Sequence, residues 1–486
     1  MNNLATSTPE SLGIPSIAIE EFLTELTEKR LCMHSFIILR HNKIAAEGYW
    51  PPFEANRNHR MYSVSKSFTA IAIGMMIDEN RISIDSKVAS FFPEYLPTNP
   101  HPYVLEATVR DLLMMATYNK GTSYTVESPN FTETFFTDSG PKHKPGQIFH
   151  YDTAATTVLC AIVEKLSGTT ILEYMRPILD EIGFSKDAFC VETPEGRSWT
   201  GSGILCTSRD LARMALLCMN GGQWNGKQLI SREFIRDATT KQIDTSVAPD
   251  GMETRYGYGY QIWCLRKGGF AMFGMGGQFA LCMPHTGTIL ITNADTQGTS
   301  GAEDVIINAY YKLIDKLSPS PLPENANAQE SLNQRICNLS LPTPLGNTST
   351  ALAHTISGRK YILDENNAGM KWLRFDIEAE KVRLQYENNN GEHELVFGMG
   401  KYEPQLFPEK YFGRRIGKKD THYQCICAGA WASDETFIGT IYSVDDSLGS
   451  IRLQLTFADD AVSGYMKKAA EWFFDEYQGF ISGKVD

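Results

Sequence analysis

The stretch MYSVSKSF, residues 61–68, places a serine and a lysine three positions apart at the head of an apolar run, AIAIGMMI (70–77). The apolar run predicts a helix, and residues three apart in a helix lie on the same side. We therefore expect the side chains of Ser63 and Lys66 to lie within reach of each other. Lys66 has no acidic residue within one helical turn along the sequence that would keep its amine charged.

The pattern Ser-x-x-Lys occurs three times in the chain, and the local context separates the three matches. Ser139 lies in SGPK, where glycine and proline disfavour a helix. Ser357 lies in SGRKY, at the start of a predicted strand, where residues three apart point to opposite faces. Only the match at Ser63 continues into a helix, so this serine is the candidate for chemistry.

A lysine that takes a proton from a serine must first lose its own charge. At the usual pKa of about 10.4, only about one lysine in 2,500 is neutral at pH 7. Burial in an apolar helix without a carboxylate partner lowers a lysine pKa by up to several units, and a shift of roughly 3 units would suffice. The alternative is that the stem of Lys66 packs along the helix while its amine reaches water.

A tyrosine provides the second candidate. The segment KPGQIFHYDTAATTVLCAIVEKLSG (144–168) presents Tyr151 in a turn just before another apolar helix, with Asp152 and Thr153 beside it. A phenol can pass a proton between a lysine, a serine and a leaving group when it lies within hydrogen-bond reach of them. The alternative is a core aromatic residue whose hydroxyl is satisfied by a neighbour.

A glycine pair provides the third candidate. In FGMGGQFALCMP (273–284), Gly276 and Gly277 precede a predicted strand. Such a pair lets a ligand approach the backbone, and the next amide, that of Gln278, is then free to donate to a developing negative charge. The amide of Ser63, at the positive end of its helix, would be the first donor of such an oxyanion hole. The alternative is a tight turn between two strands.

Composition narrows the class of protein. The 486 residues carry 45 basic and 57 acidic side chains, a net charge of -12 without any basic cluster, which disfavours nucleic-acid binding. The N-terminus has no signal-peptide pattern, and the longest apolar run, 70–77, is too short to span a membrane. The ten cysteines lie mainly in apolar contexts, which favours reduced thiols and a cytoplasmic location. Cys425 and Cys427 fit a strand better than a zinc site, and no metal chemistry is supported.

The order of the predicted elements indicates an α+β domain followed by a β-rich one. Strands are expected at 35–40, 43–50, 258–265, 270–273, 279–284 and 287–293, helices at 17–31 and 302–317, and mainly helical structure from 62 to 238. Strands at both ends of a long helical insert predict one antiparallel sheet closed by distant parts of the chain. We predict a first domain at 1–317, a Pro- and Asn-rich linker at 318–329 and a mostly antiparallel β-domain at 330–486.

At these residues the chain resembles the β-lactamase-related serine hydrolases, which include class C β-lactamases, D-amino-acid peptidases, carboxylesterases and 6-aminohexanoate-dimer hydrolases. The resemblance covers residues 8–317 and comprises seven ordered blocks, among them PESLGI, SVSKSFTAIAIGMMIDENRISIDSKVASFFPEY, VRDLLMMAT and GMGGQ. It implies a sheet flanked by helices beside an all-helical subdomain. It also implies Ser63 as nucleophile, Lys66 as proton acceptor with Tyr151, an acyl-enzyme, and no metal or organic cofactor.

Two positions depart from the family pattern. Thr153 stands where the tyrosine motif often ends in Asn or Ser, and Met275 stands where many members place Lys or His. Without a cation at position 275, a substrate carboxylate lacks an obvious partner, which argues against efficient turnover of penicillins and favours neutral or bulky esters and amides. Residues 330–486 resemble the lipocalin-like β-domains that some of these hydrolases carry.

The leading hypothesis is a serine hydrolase that cleaves a small-molecule ester, amide or short peptide through an acyl-Ser63 intermediate. The alternatives are a β-lactamase or D-peptidase, and a catalytically silent binding protein of the same fold. A Ser-His-Asp hydrolase is disfavoured because the sequence contains no G-x-S-x-G pattern. Three roles stay open for the C-terminal domain: capping the cleft, forming a homodimer or stabilising the fold.

Overall fold

The computed structural model describes residues 4–137, 140–247, 251, 253–410 and 420–486. The chain divides into two compact units, the first formed by Met1–Thr296 and Gly301–Ser340 and the second by Gln297–Ser300 and Leu341–Asp486. Ser139, the first residue of the second Ser-x-x-Lys match, lies outside the described residues. A bilayer-spanning helix is absent from the described part of the chain.

The strands of the first unit come from both ends of its sequence. They are β1 (Met33–Arg40), β2 (Lys43–Tyr49), β3 (His59–Arg60), β4 (Phe189–Cys190), β5 (Ile204–Cys206), β6 (Gln223–Trp224), β7 (Lys227–Gln228), β8 (Trp263–Cys264), β9 (Phe270–Gly274), β10 (Gln278–Met283) and β11 (Thr288–Ala294). The main sheet has the order β2-β1-β11-β10-β9-β8, and all its pairings are antiparallel. The predicted closure of one sheet by distant strands is confirmed.

The helices of the first unit lie mainly between β2 and β8. They are α1 (Ser16–Glu28), α2 (Ser65–Asp78), α3 (Pro102–Glu106), α4 (Val109–Leu113), α5 (Phe131–Thr137), α6 (Thr153–Ser167), α7 (Ile171–Tyr174), α8 (Arg176–Glu181), α9 (Ser208–Met219), α10 (Arg232–Ala238), α11 (Ala302–Ile314) and α12 (Ala326–Cys337). Helices α1 and α11 pack against each other, and α9 packs on β1, β10 and β11. Every residue of β1 and β11 is buried, so both faces of the sheet are covered.

Helix α2 is a core helix. Every residue from Ser65 to Met76 is buried, including the polar ones. An amphipathic surface helix would leave one face in water, whereas a helix buried all round has no such face. A lysine in the first turn of α2 is therefore buried with its helix.

One predicted strand of the first unit is wrong in extent. The segment 258–265 was expected to be a strand, but only Trp263–Cys264 is paired as one. Gln261 adopts a left-handed backbone, with φ of 57°, which interrupts the extended run. The side-chain amide of Gln261 instead donates to the carbonyls of Leu112 and Leu113, at 2.9 and 3.1 Å.

The described part of the second unit is a β-domain with one short helix. Its elements are α13 (Ala353–Ile356), β12 (Lys360–Leu363), β13 (Trp372–Ile377), β14 (Lys381–Asn388), β15 (Gly391–Met399), β16 (Glu403–Leu406), β17 (Gln424–Trp431), β18 (Thr436–Val444), β19 (Leu448–Ala458), β20 (Ala461–Ala470) and β21 (Gly479–Val485). A parallel pairing of β15 with β17 closes an otherwise antiparallel sheet into a barrel. Alternate residues point inward, and their apolar side chains fill the interior.

The unit boundary falls later in the chain than the predicted linker. Residues 318–329 were predicted to separate the domains, with the second starting at residue 330. Helix α12 instead packs against α1 and β2. The first unit therefore extends to Ser340, and the second resumes at Leu341. The reason is that α12 carries an apolar position, Leu332, that is buried in the first unit.

All ten cysteines are free thiols, and eight of them are buried. Cys425 and Cys427 lie on β17 and face the barrel core, as the strand interpretation predicted. Burial raises the pKa of the Cys427 thiol well above its usual value.

Two buried histidines join β1 to the strand that leads to Ser63. His34 Nδ1 and His59 Nε2 lie 2.8 Å apart and share a hydrogen bond, and the ring of Phe53 stacks on His34 with centroids 3.7 Å apart. Burial lowers the pKa of both imidazoles, that of His59 to about 4 and that of His34 well below its usual value. The pair is therefore neutral in the folded protein at neutral pH.

We expect the free energy of unfolding of the wild type, relative to that of a His59→Gln variant, to fall by about 2 kcal/mol as the pH is lowered from 8 to 5. Unfolded His59 takes up a proton near pH 6.5, whereas folded His59 does so only near pH 4. Acid therefore favours the unfolded wild type in this window. Urea unfolding at several pH values measures the difference. His285→Gln, at an exposed position, is the control, and a gap that stays constant with pH would contradict the account.

Candidate active site

Ser63 lies in a single 3-10 turn, Tyr62–Val64, that leads directly into α2. Tyr62, just before the serine, has a left-handed backbone with φ of 46°, a conformation that costs free energy for a residue with a side chain. The turn places Ser63 at the wall of a cavity while its neighbours Tyr62 and Val64 stay buried. The predicted helix after Ser-x-x-Lys is confirmed.

The amine of Lys66 is buried against the serine. Nζ of Lys66 donates a hydrogen bond to Ser63 Oγ over 2.9 Å and a second one to the carbonyl oxygen of Gly201. Lys66 is only 1% exposed, so the alternative in which its amine reaches water is wrong. A Cβ atom at Gly201 would lie 2.5 Å from Thr153 Cγ2, so a residue with a side chain does not fit at this position without a shift of its neighbours.

Tyr151 lies near the amine. The Lys66 nitrogen lies 5.1 Å from the centroid of the Tyr151 ring, and that ring stacks on Trp263 with centroids 5.9 Å apart. Both Tyr151 and Ser63 line the cavity. Thr153 begins α6, and its backbone amide donates to Thr122 Oγ1 at 2.9 Å.

Asp152 is a buried carboxyl group that the local sequence around Lys66 does not reveal. It is fully buried, caps α6 by accepting from the Ala154 amide at 2.9 Å, and accepts from Thr117 Oγ1 at 3.0 Å. Burial raises the pKa of Asp152 to about 7, although these hydrogen bonds and the nearby Lys66 amine oppose the shift. A carboxyl group from another part of the chain therefore acts on the Lys66 amine, although no acid lies within one turn of Lys66 on its own helix.

The glycine turn packs beside the serine turn. Strand β9 ends at Gly274, where a side chain would lie 2.5 Å from the carbonyl oxygen of Met61 and 3.2 Å from the amide nitrogen of Val64. Gly276 and Gly277 follow with φ of 80° and 94°, which only glycine adopts readily. Gly274 was missed in the sequence, although it opens the GMGGQ block.

Gln278 begins β10 and is fully buried. Its side-chain amide donates to the carbonyls of Met275 and Ala294, at 2.8 and 2.7 Å, and its side-chain oxygen accepts from the Ala294 amide at 3.0 Å. These hydrogen bonds join the glycine turn to β11, so the side chain of Gln278 has a structural role. Only the backbone amide of Gln278 remains a candidate oxyanion donor, and this role stays a prediction.

The cavity at Ser63 has a volume of about 320 Å³. Its apolar wall consists of Tyr151, Trp263, Phe273, Met275 and Ile307. The segment around residue 251 and the first turn of α11 complete the lining with Gly251, Glu253, Thr254, Glu303 and Asp304. The carboxylates of α11 were missed because no local motif marks them.

The arrangement offers a serine and a tyrosine on the wall of one cavity of substrate size, with a buried amine in contact with the serine hydroxyl. This set suits proton transfer to and from a serine nucleophile. In the described residues, no group of three or more His, Cys, Asp or Glu side chains is arranged to hold a metal ion.

Comparison with known proteins places the chain in a family. The profile of the family described as Beta-lactamase matches residues 19–310. The chain belongs to the β-lactamase family of serine hydrolases. A 6-aminohexanoate-dimer hydrolase of Paenarthrobacter ureafaciens is 27% identical over 346 residues, which cover 63% of this chain and 86% of that protein.

Solved structures show the same fold. A Bacillus anthracis protein provisionally designated a 6-aminohexanoate-dimer hydrolase superposes with a TM-score of 0.52 at 21% identity, covering 62% of this chain and 83% of its own. The structure described as SurE with D-Leu superposes with a TM-score of 0.51 at 14% identity and covers 91% of this chain and 94% of its own. The second match extends into the C-terminal unit.

We expect an Asp152→Asn variant to gain stability relative to the wild type by about 2–3 kcal/mol as the pH rises from 5 to 8. Folded Asp152 keeps its proton up to about pH 7, whereas the unfolded chain releases it near 3.8. A rising pH therefore favours the unfolded wild type, and asparagine removes this penalty. Any loss of helix capping adds an offset that does not change with pH.

Urea unfolding at each pH measures this difference. Asp187→Asn, at an exposed position of the same unit, is the matched control and should show no pH-dependent gain. If the free energy of unfolding of both variants changes with pH as that of the wild type does, the carboxyl group of Asp152 is not protonated in the folded protein near neutral pH.

Proposed function

We propose that this protein is a serine hydrolase that cleaves an ester or amide bond through an acyl-Ser63 intermediate. The observation that carries the proposal is the 2.9 Å contact between Lys66 Nζ and Ser63 Oγ, made by a lysine that is only 1% exposed. Burial disfavours the charged ammonium form, so the amine is proposed to be neutral near neutral pH already before substrate binds. The direction of the contact then reverses, and the hydroxyl donates to the amine.

The proposed reaction has two halves. Ser63 Oγ attacks the carbonyl carbon while Lys66 takes its proton, and the tetrahedral intermediate collapses as the leaving group receives a proton through Tyr151. Water then attacks the acyl group, gives its proton to the Lys66 and Tyr151 pair, and Ser63 regains a proton as the acid leaves. The amides of Ser63 and Gln278 are the proposed donors to the oxyanion in both halves.

The position of the glycine turn supports this role for the backbone amides. Gly274 lets β9 approach the serine turn closely, and no larger residue fits there without a shift of the backbone. The amides of the turn are thereby held on a strand of the sheet rather than on a free loop. A rigid support of this kind favours preorganised donors.

The name of the similar protein from Paenarthrobacter ureafaciens supports amide cleavage as one form of this activity, since that protein is described as a 6-aminohexanoate-dimer hydrolase. A cytoplasmic location remains a prediction, and formation of a homodimer stays one of the three roles that the sequence leaves open for the C-terminal domain.

We expect Ser63→Ala to abolish labelling by a fluorophosphonate probe and hydrolysis of p-nitrophenyl acetate. Lys66→Met should lower kcat/KM by about a thousandfold or more, because it removes the proton acceptor, and Tyr151→Phe by about a hundredfold. Ser357→Ala is the matched control. It removes the serine of another Ser-x-x-Lys match, whose Oγ accepts a hydrogen bond from the Ile377 amide, and it should retain both activities.

Labelling that survives in Ser63→Ala would defeat the proposal, as would hydrolysis at the wild-type rate in Lys66→Met. Thermal unfolding of each variant separates a loss of chemistry from a loss of fold.

A further inference from the structure

The lining of the Ser63 cavity carries several negatively charged side chains. Three carboxylates line the cavity: Glu253, Glu303 and Asp304. Glu253 is compensated, since its Oε1 lies 2.5 Å from Arg266 Nε and its Oε2 accepts from the Tyr311 hydroxyl at 3.1 Å. Among the described residues, neither Glu303 nor Asp304 forms an ion pair with a lysine, arginine or histidine.

The two carboxylates without an ion-pair partner have fixed positions. Both lie in the first turn of α11, which packs against α1. Glu303 Oε1 accepts a hydrogen bond from the Gly276 amide at 3.0 Å, which holds this carboxylate beside the glycine turn. Burial, and then the neighbouring Asp304, raise the pKa of Glu303 above its usual value, so a bound positive charge would relieve an existing repulsion.

The rest of the cavity lining also favours a positively charged group over a negatively charged one. Met275 is neutral, and no lysine, arginine or histidine is among the described residues that line the cavity, so no positive side chain of the lining offsets Glu303 and Asp304. The rings of Tyr151, Trp263 and Phe273 also line the cavity, and aromatic faces attract cations. A substrate carboxylate in this cavity would meet like charges, whereas an ammonium group would meet opposite charges and aromatic faces.

We propose that the substrate of the Ser63 site is an ester or amide that carries an ammonium group, held by Glu303 and Asp304, and that anionic substrates are rejected there. The inference rests on the proposed hydrolase function and adds the class of substrate to it. It also accounts for the weak expectation of β-lactam turnover, because penicillins and cephalosporins carry a carboxylate. Repulsion of the wrong substrate contributes to specificity as directly as attraction of the right one.

The experiment compares esters of equal shape that differ in one charge. One pair consists of the p-nitrophenyl esters of trimethylammoniobutyrate and of its isostere, in which a quaternary carbon replaces the nitrogen. A second pair, acetylcholine and its dimethylbutyl isostere, places the charge on the leaving group. We expect the wild type to favour the charged ester by about tenfold or more in kcat/KM for at least one pair, at low ionic strength.

Variants then test the two carboxylates. The charged-to-neutral ratio should fall by about fivefold or more in the double variant Glu303→Gln, Asp304→Asn. The ratio is the readout because Glu303 also holds the Gly276 amide and its loss can change both rates. Asp304→Glu keeps the charge and should keep the ratio. Glu233→Gln, an exposed carboxylate on α10, is the control and should leave the ratio unchanged.

The outcomes separate the inference from the function on which it rests. A charged-to-neutral ratio of kcat/KM near one for both pairs overturns the inference, and so does a ratio that the double variant leaves unchanged. In either case, hydrolysis that depends on Ser63 still upholds the proposed hydrolase function. If no ester is hydrolysed in a Ser63-dependent way, the proposed function fails and the inference falls with it.

Discussion

The site depends on one buried amine held against one hydroxyl. Helix α2 is enclosed on all sides, so Lys66 does not extend to water, and its nitrogen donates to Ser63 Oγ and to the Gly201 carbonyl near the Tyr151 ring. A buried ammonium ion is costly unless it is compensated. Asp152 is the carboxyl group that acts electrostatically on this amine, and its own burial raises its pKa to about 7. The charge state of the site thus follows from a balance of two buried groups.

The rest of the first unit keeps this contact in place and builds a cavity around it. The sheet holds the end of β9 against the turn that carries Ser63, through the close approach at Gly274. Helix α11, which follows β11 along the chain, brings Glu303 to the glycine turn and so adds negative charge to the cavity that Ser63 lines. The same elements that position the proposed oxyanion donors therefore also set the charge that a substrate meets.

Local sequence patterns predicted the features that depend on residues close together in the sequence. The spacing of Ser63 and Lys66 and the alternation of apolar residues in the barrel strands predicted their elements, and the block order predicted the family. What sequence reasoning missed comes from distant residues: the Gly201 carbonyl lies 135 positions from Lys66, and Glu303 lies 27 positions from Gly276. The strand expected at 258–265 failed because the left-handed backbone at Gln261 leaves no mark in the apolar pattern.

The most direct test is to locate the hydrogens on the Lys66 nitrogen. Neutron diffraction from deuterium-exchanged crystals near pH 7.5 counts the deuterons on Nζ and shows the direction of the hydrogen bond to Ser63. The account predicts two deuterons on Nζ and a serine hydroxyl that donates to the amine. Three deuterons on Nζ, with Ser63 accepting, would contradict the central claim that an uncharged lysine activates this serine.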